Sequence, residues 1–149
     1  MANKLDKKYL KKILWIEDDA DIIDTLVDPL RRDGHSFKIA YTPTEAFRLL
    51  SKTKYDLILL DLMLPEDPWL SQFQTELEVV GNRTYAPGVV LMGKYMKTIN
   101  ASTPTIICTV ATQGSIDIPY RHIDFLTKPI KPTMFREEVY SAIGLEDHI

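Results

Sequence analysis

A short apolar run that stops on a carboxylate, Leu57-Ile58-Leu59-Leu60-Asp61, followed by Leu62-Met63-Leu64-Pro65, constrains this chain more than any other stretch. Four aliphatic residues without alternation suit a strand buried on both faces of a parallel sheet. Asp61 is then the C-terminal tip of that strand. In an open α/β sheet the ligand crevice lies beyond the carboxyl ends of the strands, so an aspartate there is placed for chemistry. It could equally cap a turn. The remaining strand ends decide between the two.

Ile13 to Ile16 is a first strand that runs into Glu17-Asp18-Asp19. Asp19 and Asp21 suit the positive N-terminus of the following helix, whose apolar face is Ile22, Ile23, Leu26, Val27 and Leu30. Glu17 and Asp18 leave the strand at the same sheet edge as Asp61 if the two strands are parallel neighbours. Three carboxylates in one crevice raise one another's pKa unless a cation is present, and an all-oxygen set suits Mg²⁺. Pro29 removes a backbone donor inside the helical pattern and predicts a kink or an early stop. Arg31-Arg32-Asp33-Gly34 supplies cations and a left-handed cap for the helix end.

A second strand is expected over Phe37 to Tyr41. Thr42-Pro43-Thr44-Glu45 then opens a helix, with threonine at the cap, proline in the first turn and glutamate three residues on. That helix carries Ala46, Phe47, Leu49 and Leu50. Unbroken alternation of strand and helix predicts a doubly wound parallel sheet. A fourth buried strand, Pro104 to Thr109, ends on a hydroxyl, and a fifth, His122 to Leu126, leads to Thr127-Lys128-Pro129. Lys128 offers a point charge suited to a phosphate oxygen, and Lys128-Pro129 is a candidate cis bond. A closing helix, Thr133 to Ile143, presents Met134, Phe135, Val139 and Ile143. The spacing of His35, His122 and His148 fits no metal site, and Cys108 reads as a small core residue.

Between the third and fourth strands the alternation breaks over about 66–87, a length typical of functional connections. Asp67-Pro68 could cap a helix with Leu70, Phe73, Leu77 and Val80 on one side. Phe73, Thr75, Leu77 and Val79 could instead alternate as a strand before a turn at Gly81-Asn82. Trp69, Phe73 and Tyr85 read first as packing on the domain's own surface, and second as a partner patch. A helix over Gly88 to Asn100 follows, burying Val89, Met92, Met96 and Ile99.

The chain's 149 residues suit one domain. A formal charge of -3 gives no electrostatic argument for nucleic-acid binding. The single cysteine excludes an internal disulfide framework, and the chain shows no signal peptide or apolar run long enough to span a membrane, so a cytoplasmic location without membrane insertion is expected. Lys4, Lys7, Lys8, Lys11 and Lys12 make the first dozen residues basic, and a leader over 1–11 ahead of a domain over 12–149 is expected.

Acids on the first and third strands, a hydroxyl on the fourth and a lysine on the fifth make one constellation. It resembles the receiver domain of two-component response regulators, through Ile13-Leu14-Trp15-Ile16-Glu17-Asp18-Asp19, Asp61-Leu62-Met63-Leu64-Pro65, Cys108-Thr109 and Phe125-Leu126-Thr127-Lys128-Pro129. The resemblance implies a CheY-like, flavodoxin-like sheet of order 2-1-3-4-5, an order for which a chemotaxis receiver is itself the standard example. It implies Asp61 as phosphoacceptor. Glu17, Asp18 and Asp61 with the Met63 backbone carbonyl would hold Mg²⁺, Lys128 would pair with the phosphoryl group, and Thr109 and Phe125 would move as a switch. The donor would be a sensor histidine kinase or histidine phosphotransfer protein, the output a protein target rather than nucleic acid, and the chemistry self-phosphorylation and self-dephosphorylation rather than enzymatic turnover. A stand-alone receiver is expected, since no output segment follows Ile149. The alternative is a phosphorylation-independent binding module that uses the insertion. A haloacid-dehalogenase-like phosphatase would need a second acid where Met63 stands.

Three departures from the family pattern stand out. The connection after Pro65 is longer by roughly one and a half dozen residues. Val110 puts a branched side chain beside the phosphoryl pocket. Gly114 and Pro119 interrupt the expected fourth helix, which argues against dimerisation through it.

Overall fold

The computed structural model describes residues 5–81, 84–110, 118–122 and 124–149. Five strands, β1 (Lys12–Ile16), β2 (Ser36–Ala40), β3 (Leu57–Leu60), β4 (Thr105–Thr109) and β5 (Asp124–Thr127), pair throughout in parallel in the order β2-β1-β3-β4-β5. The helices are α1 (Ile23–Arg32), α2 (Pro43–Lys52), α3 (Pro68–Ser71), α4 (Gln74–Val80), α5 (Ala86–Tyr95) and α6 (Pro132–Ala142). Successive strand residues face opposite sides. Ile13, Trp15, Leu57, Leu59, Ile106 and Cys108 pack with α1 and α6. Leu14, Ile16, Ile58, Leu60 and Ile107 pack with α2 and α5. Burying both faces is what these uninterrupted aliphatic runs require.

Strand and helix identities match the expectations, with shifted ends. β2 stops at Ala40, short of Tyr41, and β5 begins at Asp124. α1 does not stop at Pro29 but runs on to Arg32, since Leu26, Val27 and Leu30 are buried on both sides of it. Gly34 follows with φ +106°, the left-handed cap expected there. α2 is capped as read, with Thr42 Oγ1 accepting from Glu45 N–H at 3.2 Å.

The insertion is helical rather than a hairpin strand. Asp67 Oδ1 accepts from Leu70 N–H at 3.0 Å and starts α3, and α4 ends at Gly81 with φ +81°. Asn82, the second residue of the alternative turn, and Gly114, in the expected fourth helix, lie outside the described residues. Leu70 and Leu77 form a small core with Ala86 and Val90 of α5, while Trp69 stacks on Phe47 of α2 at 4.6 Å. These aromatics pack on the domain itself.

α5 begins at Ala86, because Pro87 suits a first turn, and it ends at Tyr95. Ile99 therefore lies beyond the helix and is 53% exposed, against the expectation of burial, and Met96 is only partly covered. Met134 on α6 is also exposed, and Tyr140 takes the buried place beside Phe135 and Val139.

At the amino edge of the sheet, Lys11 N–H donates to His35 Nδ1 at 3.1 Å. His35 Nε2 is then the protonated nitrogen and donates to Tyr140 Oη at 3.2 Å, and Tyr140 in turn donates to Asp33. Burial holds His35 below its ordinary 6.5; Asp33 opposes this, while Lys11 and Arg136 add to it. The unfolded chain then binds the proton more readily than the folded one. This part of the stability is present above a pH of about 6.5 and is lost as pH falls through the lower folded value. Melting temperatures measured from about pH 8 to about pH 5 should fall more steeply for the native chain than for His35→Gln. Equal slopes would contradict this account.

Candidate functional site

The parallel pairing continues one residue past β1, against β2, and one residue past β3, against β1, and it brings two acids together. Glu17 N–H donates to Ala40 O at 2.9 Å, and Asp61 N–H donates to Ile16 O at 3.0 Å. Glu17, Asp18 and Asp61 each offer an oxygen within 4.8 Å of the others. Glu17 and Asp61 are buried and Asp18 is exposed, so the cluster opens to solvent on one side.

Lys128 reaches the same point from beyond β5. Its backbone N–H donates to Thr109 O at 2.8 Å, and the following peptide bond to Pro129 is cis. Its Nζ donates to Asp61 Oδ2 at 3.0 Å and pairs with Glu17 Oε1. The other Asp61 oxygen, Oδ1, accepts from Met63 N–H at 3.0 Å, so the loop after β3 folds back over the Asp61 carboxylate.

Burial pushes the Glu17 carboxyl up to about 7; the hydrogen bond from Lys128 opposes this and the Asp61 charge adds to it. Burial works against the Lys128 charge as well, but bonds to Glu17 and Asp61 outweigh it and raise its pKa. Three carboxylates and one ammonium leave two unbalanced negative charges when all are ionised. A divalent cation offsets them, and an all-oxygen set is the donor chemistry that Mg²⁺ takes. The residues present fit the ion.

Thr109 is fully buried at the end of β4, and among the described residues its Oγ1 has no hydrogen-bond partner. Phe125 is buried among the α2–α5 side core, so its ring already lies inward. Val110 points to solvent, 56% exposed.

Two contacts at this edge go beyond what the sequence suggested. Gly88, in the first turn of α5, donates its N–H to Leu62 O at 3.0 Å, and a Cβ there would lie 2.3 Å from Leu62 Cα. Asp67 accepts at Oδ2 from Thr44 N–H, in the first turn of α2, at 2.7 Å. A glycine near a helix start was the available signal for the first. The second joins residues 23 apart and has no local signature.

A five-stranded parallel sheet in this order, with an acidic cluster and a lysine at its carboxyl edge, has the fold of a CheY-like response regulator receiver domain. Its relatives in sequence are response regulators. Regulatory protein VanR of Enterococcus faecium is 26% identical over 132 residues, 89% of this chain and 53% of that protein. The chain spans about half the length of curated relatives such as this one. No family model matches the chain.

A CheY-like receiver domain protein from Methanospirillum hungatei superposes with a TM-score of 0.70 at 20% identity, covering 93% of this chain and 98% of that one. The receiver domain of sensor histidine kinase PA1611 from Pseudomonas aeruginosa, solved with a magnesium ion coordinated in the active site cleft, gives 0.67 at 23% identity, covering 91% and 98%. Among the described residues, no helix is long and apolar enough to cross a membrane.

Proposed function

We propose that this chain is a phosphorylatable receiver, 12–149 with its insertion over about 66–87, that accepts a phosphoryl group on Asp61 and signals by protein contact. The observation that carries the reading is the convergence of Glu17, Asp18 and Asp61 on one point with Lys128 bonded into it. Sensor histidine kinases or histidine phosphotransfer proteins are the donor class, the output is a protein target, and the location is cytoplasmic.

Glu17, Asp18, Asp61 and the Met63 carbonyl would hold Mg²⁺, which supplies charge neutralisation for the oxygens of the phosphoryl group in transfer. Asp61 attacks phosphorus and forms an acyl phosphate, while the donor's phosphorus–nitrogen or phosphorus–oxygen bond breaks. Lys128 then exchanges its bond with Asp61 Oδ2 for a phosphoryl oxygen. The Thr109 hydroxyl, without a partner among the described residues, is a donor that meets another such oxygen, and its movement biases the surface around the inward Phe125.

The test is intact mass after incubation with acetyl phosphate, with Mg²⁺ or with EDTA. One metal-dependent, hydroxylamine-sensitive phosphoryl group is expected. Lys128→Ala should still incorporate it but lose the phosphorylation-dependent amide shifts near Thr109 and Phe125; shifts like those of the native chain would remove Lys128 from the switch.

A second reading, a binding module that works without phosphorylation, draws on the groove of about 570 Å³ between α4 and α5, lined by Val79, Val80, Val89, Val90 and Tyr120. Its mark would be a folded, Mg²⁺-binding chain that takes no phosphate even from a phosphohistidine donor.

A further inference from the structure

The loop from Asp61 to Asp67 carries both the acceptor carboxylate and the Met63 carbonyl, and it is held at two points by distant parts of the chain. At its start, Leu62 is fully buried, its carbonyl accepts from Gly88 N–H, and the α5 backbone lies too close for a side chain at position 88. At its end, Asp67 divides its carboxylate between two helices. Oδ1 caps α3 through Leu70 N–H at 3.0 Å, and Oδ2 accepts from Thr44 N–H of α2 at 2.7 Å.

Both donors are first-turn amides that have no partner within their own helices. The carboxylate also sits at the positive end of α2, where a negative charge is favoured. Burial works against the Asp67 charge, but its bonds to Leu70 and Thr44 outweigh that and lower its pKa. Between these two fixed points run only Met63, Leu64, Pro65 and Glu66. Leu64 is buried and Pro65 restricts the backbone, which leaves Met63 little freedom.

We infer that Asp67 is a positioning residue for the metal site: by tying the loop's end to the first turns of α2 and α3, it holds Met63 where its carbonyl completes the cation's ligands. Mg²⁺ demands near-ideal octahedral geometry, so a loop free to drift by a fraction of an ångström loses affinity even with all three carboxylates in place. The inserted helices then act on the phosphorylation site through this one side chain. The inference rests on the receiver reading, whose own test is the metal-dependent mass gain of the native chain.

The experiment compares the full chain with Asp67→Ala, Asp67→Asn and Trp69→Ala. Mg²⁺ affinity is measured by calorimetry, and amide hydrogen exchange over 62–66 is followed in metal-free protein. Asp67→Ala should weaken Mg²⁺ binding by about tenfold and speed exchange in that loop. Asp67→Asn keeps one acceptor oxygen and should fall between, which preserves the comparison if the alanine variant does not fold. Trp69→Ala loosens the insertion by removing the Phe47 stack but keeps both caps, and it should bind Mg²⁺ within about twofold of the native chain. Unchanged Mg²⁺ affinity and loop exchange in both Asp67 variants would overturn the inference and leave Asp67 a plain helix cap. Equal weakening by Trp69→Ala would overturn it in favour of general loosening. A native chain that binds no Mg²⁺ would remove the receiver reading and this inference together.

Discussion

Replacing Asp61 with asparagine should abolish phosphoryl incorporation, by at least about a hundredfold, while leaving the fold intact. The amide nitrogen has no free lone pair to attack phosphorus, and its oxygen is a far weaker nucleophile than a carboxylate. Incorporation from acetyl phosphate with Mg²⁺, read by intact mass, measures this directly. The fold should survive because Asp61 lies beyond the last residue of β3 and its side chain packs no core. Removing its charge also leaves Glu17 paired with Lys128, one acid to one ammonium. Relief of repulsion between the two buried acids offsets the lost Lys128 bond, so the melting temperature should hold or rise slightly. A variant that still gains a hydroxylamine-sensitive phosphate would place the acceptor elsewhere, and one that unfolds would make Asp61 structural.

Gly88→Val should be the most damaging single substitution outside the core aliphatics. A Cβ at this position meets Leu62 Cα at 2.3 Å and Leu62 O at 2.8 Å, and both are backbone atoms that no rotamer change can move aside. Either α5 shifts off the sheet or the loop after Asp61 is displaced. Overpacking of this kind costs about 3 kcal/mol or more, which is roughly 10 °C in melting temperature for a domain of this size. Thermal unfolding measures it. The Gly88 N–H bond to Leu62 O would be lost in the same movement, so residual folded protein should also bind Mg²⁺ more weakly. A variant within about 2 °C of the native chain would show that the close approach relaxes at little cost.

How much of this is readable in the amino-acid order depends on how local each signal is. Leu57 to Leu60 and Thr105 to Thr109 are buried on both faces, and a run of four or five residues with no charged interruption has few other uses. Residues at the tips of such strands follow from the strands themselves, which is why the order of residues alone puts Glu17, Asp61, Thr109 and Lys128 at one edge of the sheet. Their pairing does not follow in the same way. That Lys128 bridges Glu17 and Asp61 depends on where its side chain reaches from the turn after β5, which the Lys128-Pro129 pair marks but does not aim.

The insertion carries two periodicities at once. The helix prevails because Phe73, Leu77 and Val80 fall on one side against Ala86 and Val90, and because Asp67 supplies a cap. The alternation through Val79 is incidental, since Val79 is 81% exposed. The far end of α5 departs from expectation for a different reason. Asn100, fully buried, donates to Leu50 O and Thr53 O and accepts from Tyr55 N–H, and this polar pin, not the apolar spacing of Met96 and Ile99, sets the path after Tyr95. A single buried amide of this kind is invisible to hydrophobic periodicity.

The measurement that tests the central claim most directly is reductive trapping of the phosphorylated protein. Borohydride converts an aspartyl phosphate to homoserine, and peptide mass spectrometry then locates it. The account predicts homoserine at position 61 alone, formed with acetyl phosphate and Mg²⁺ and absent with EDTA. Homoserine at any other acid, or bound phosphate that borohydride leaves untouched, would contradict it.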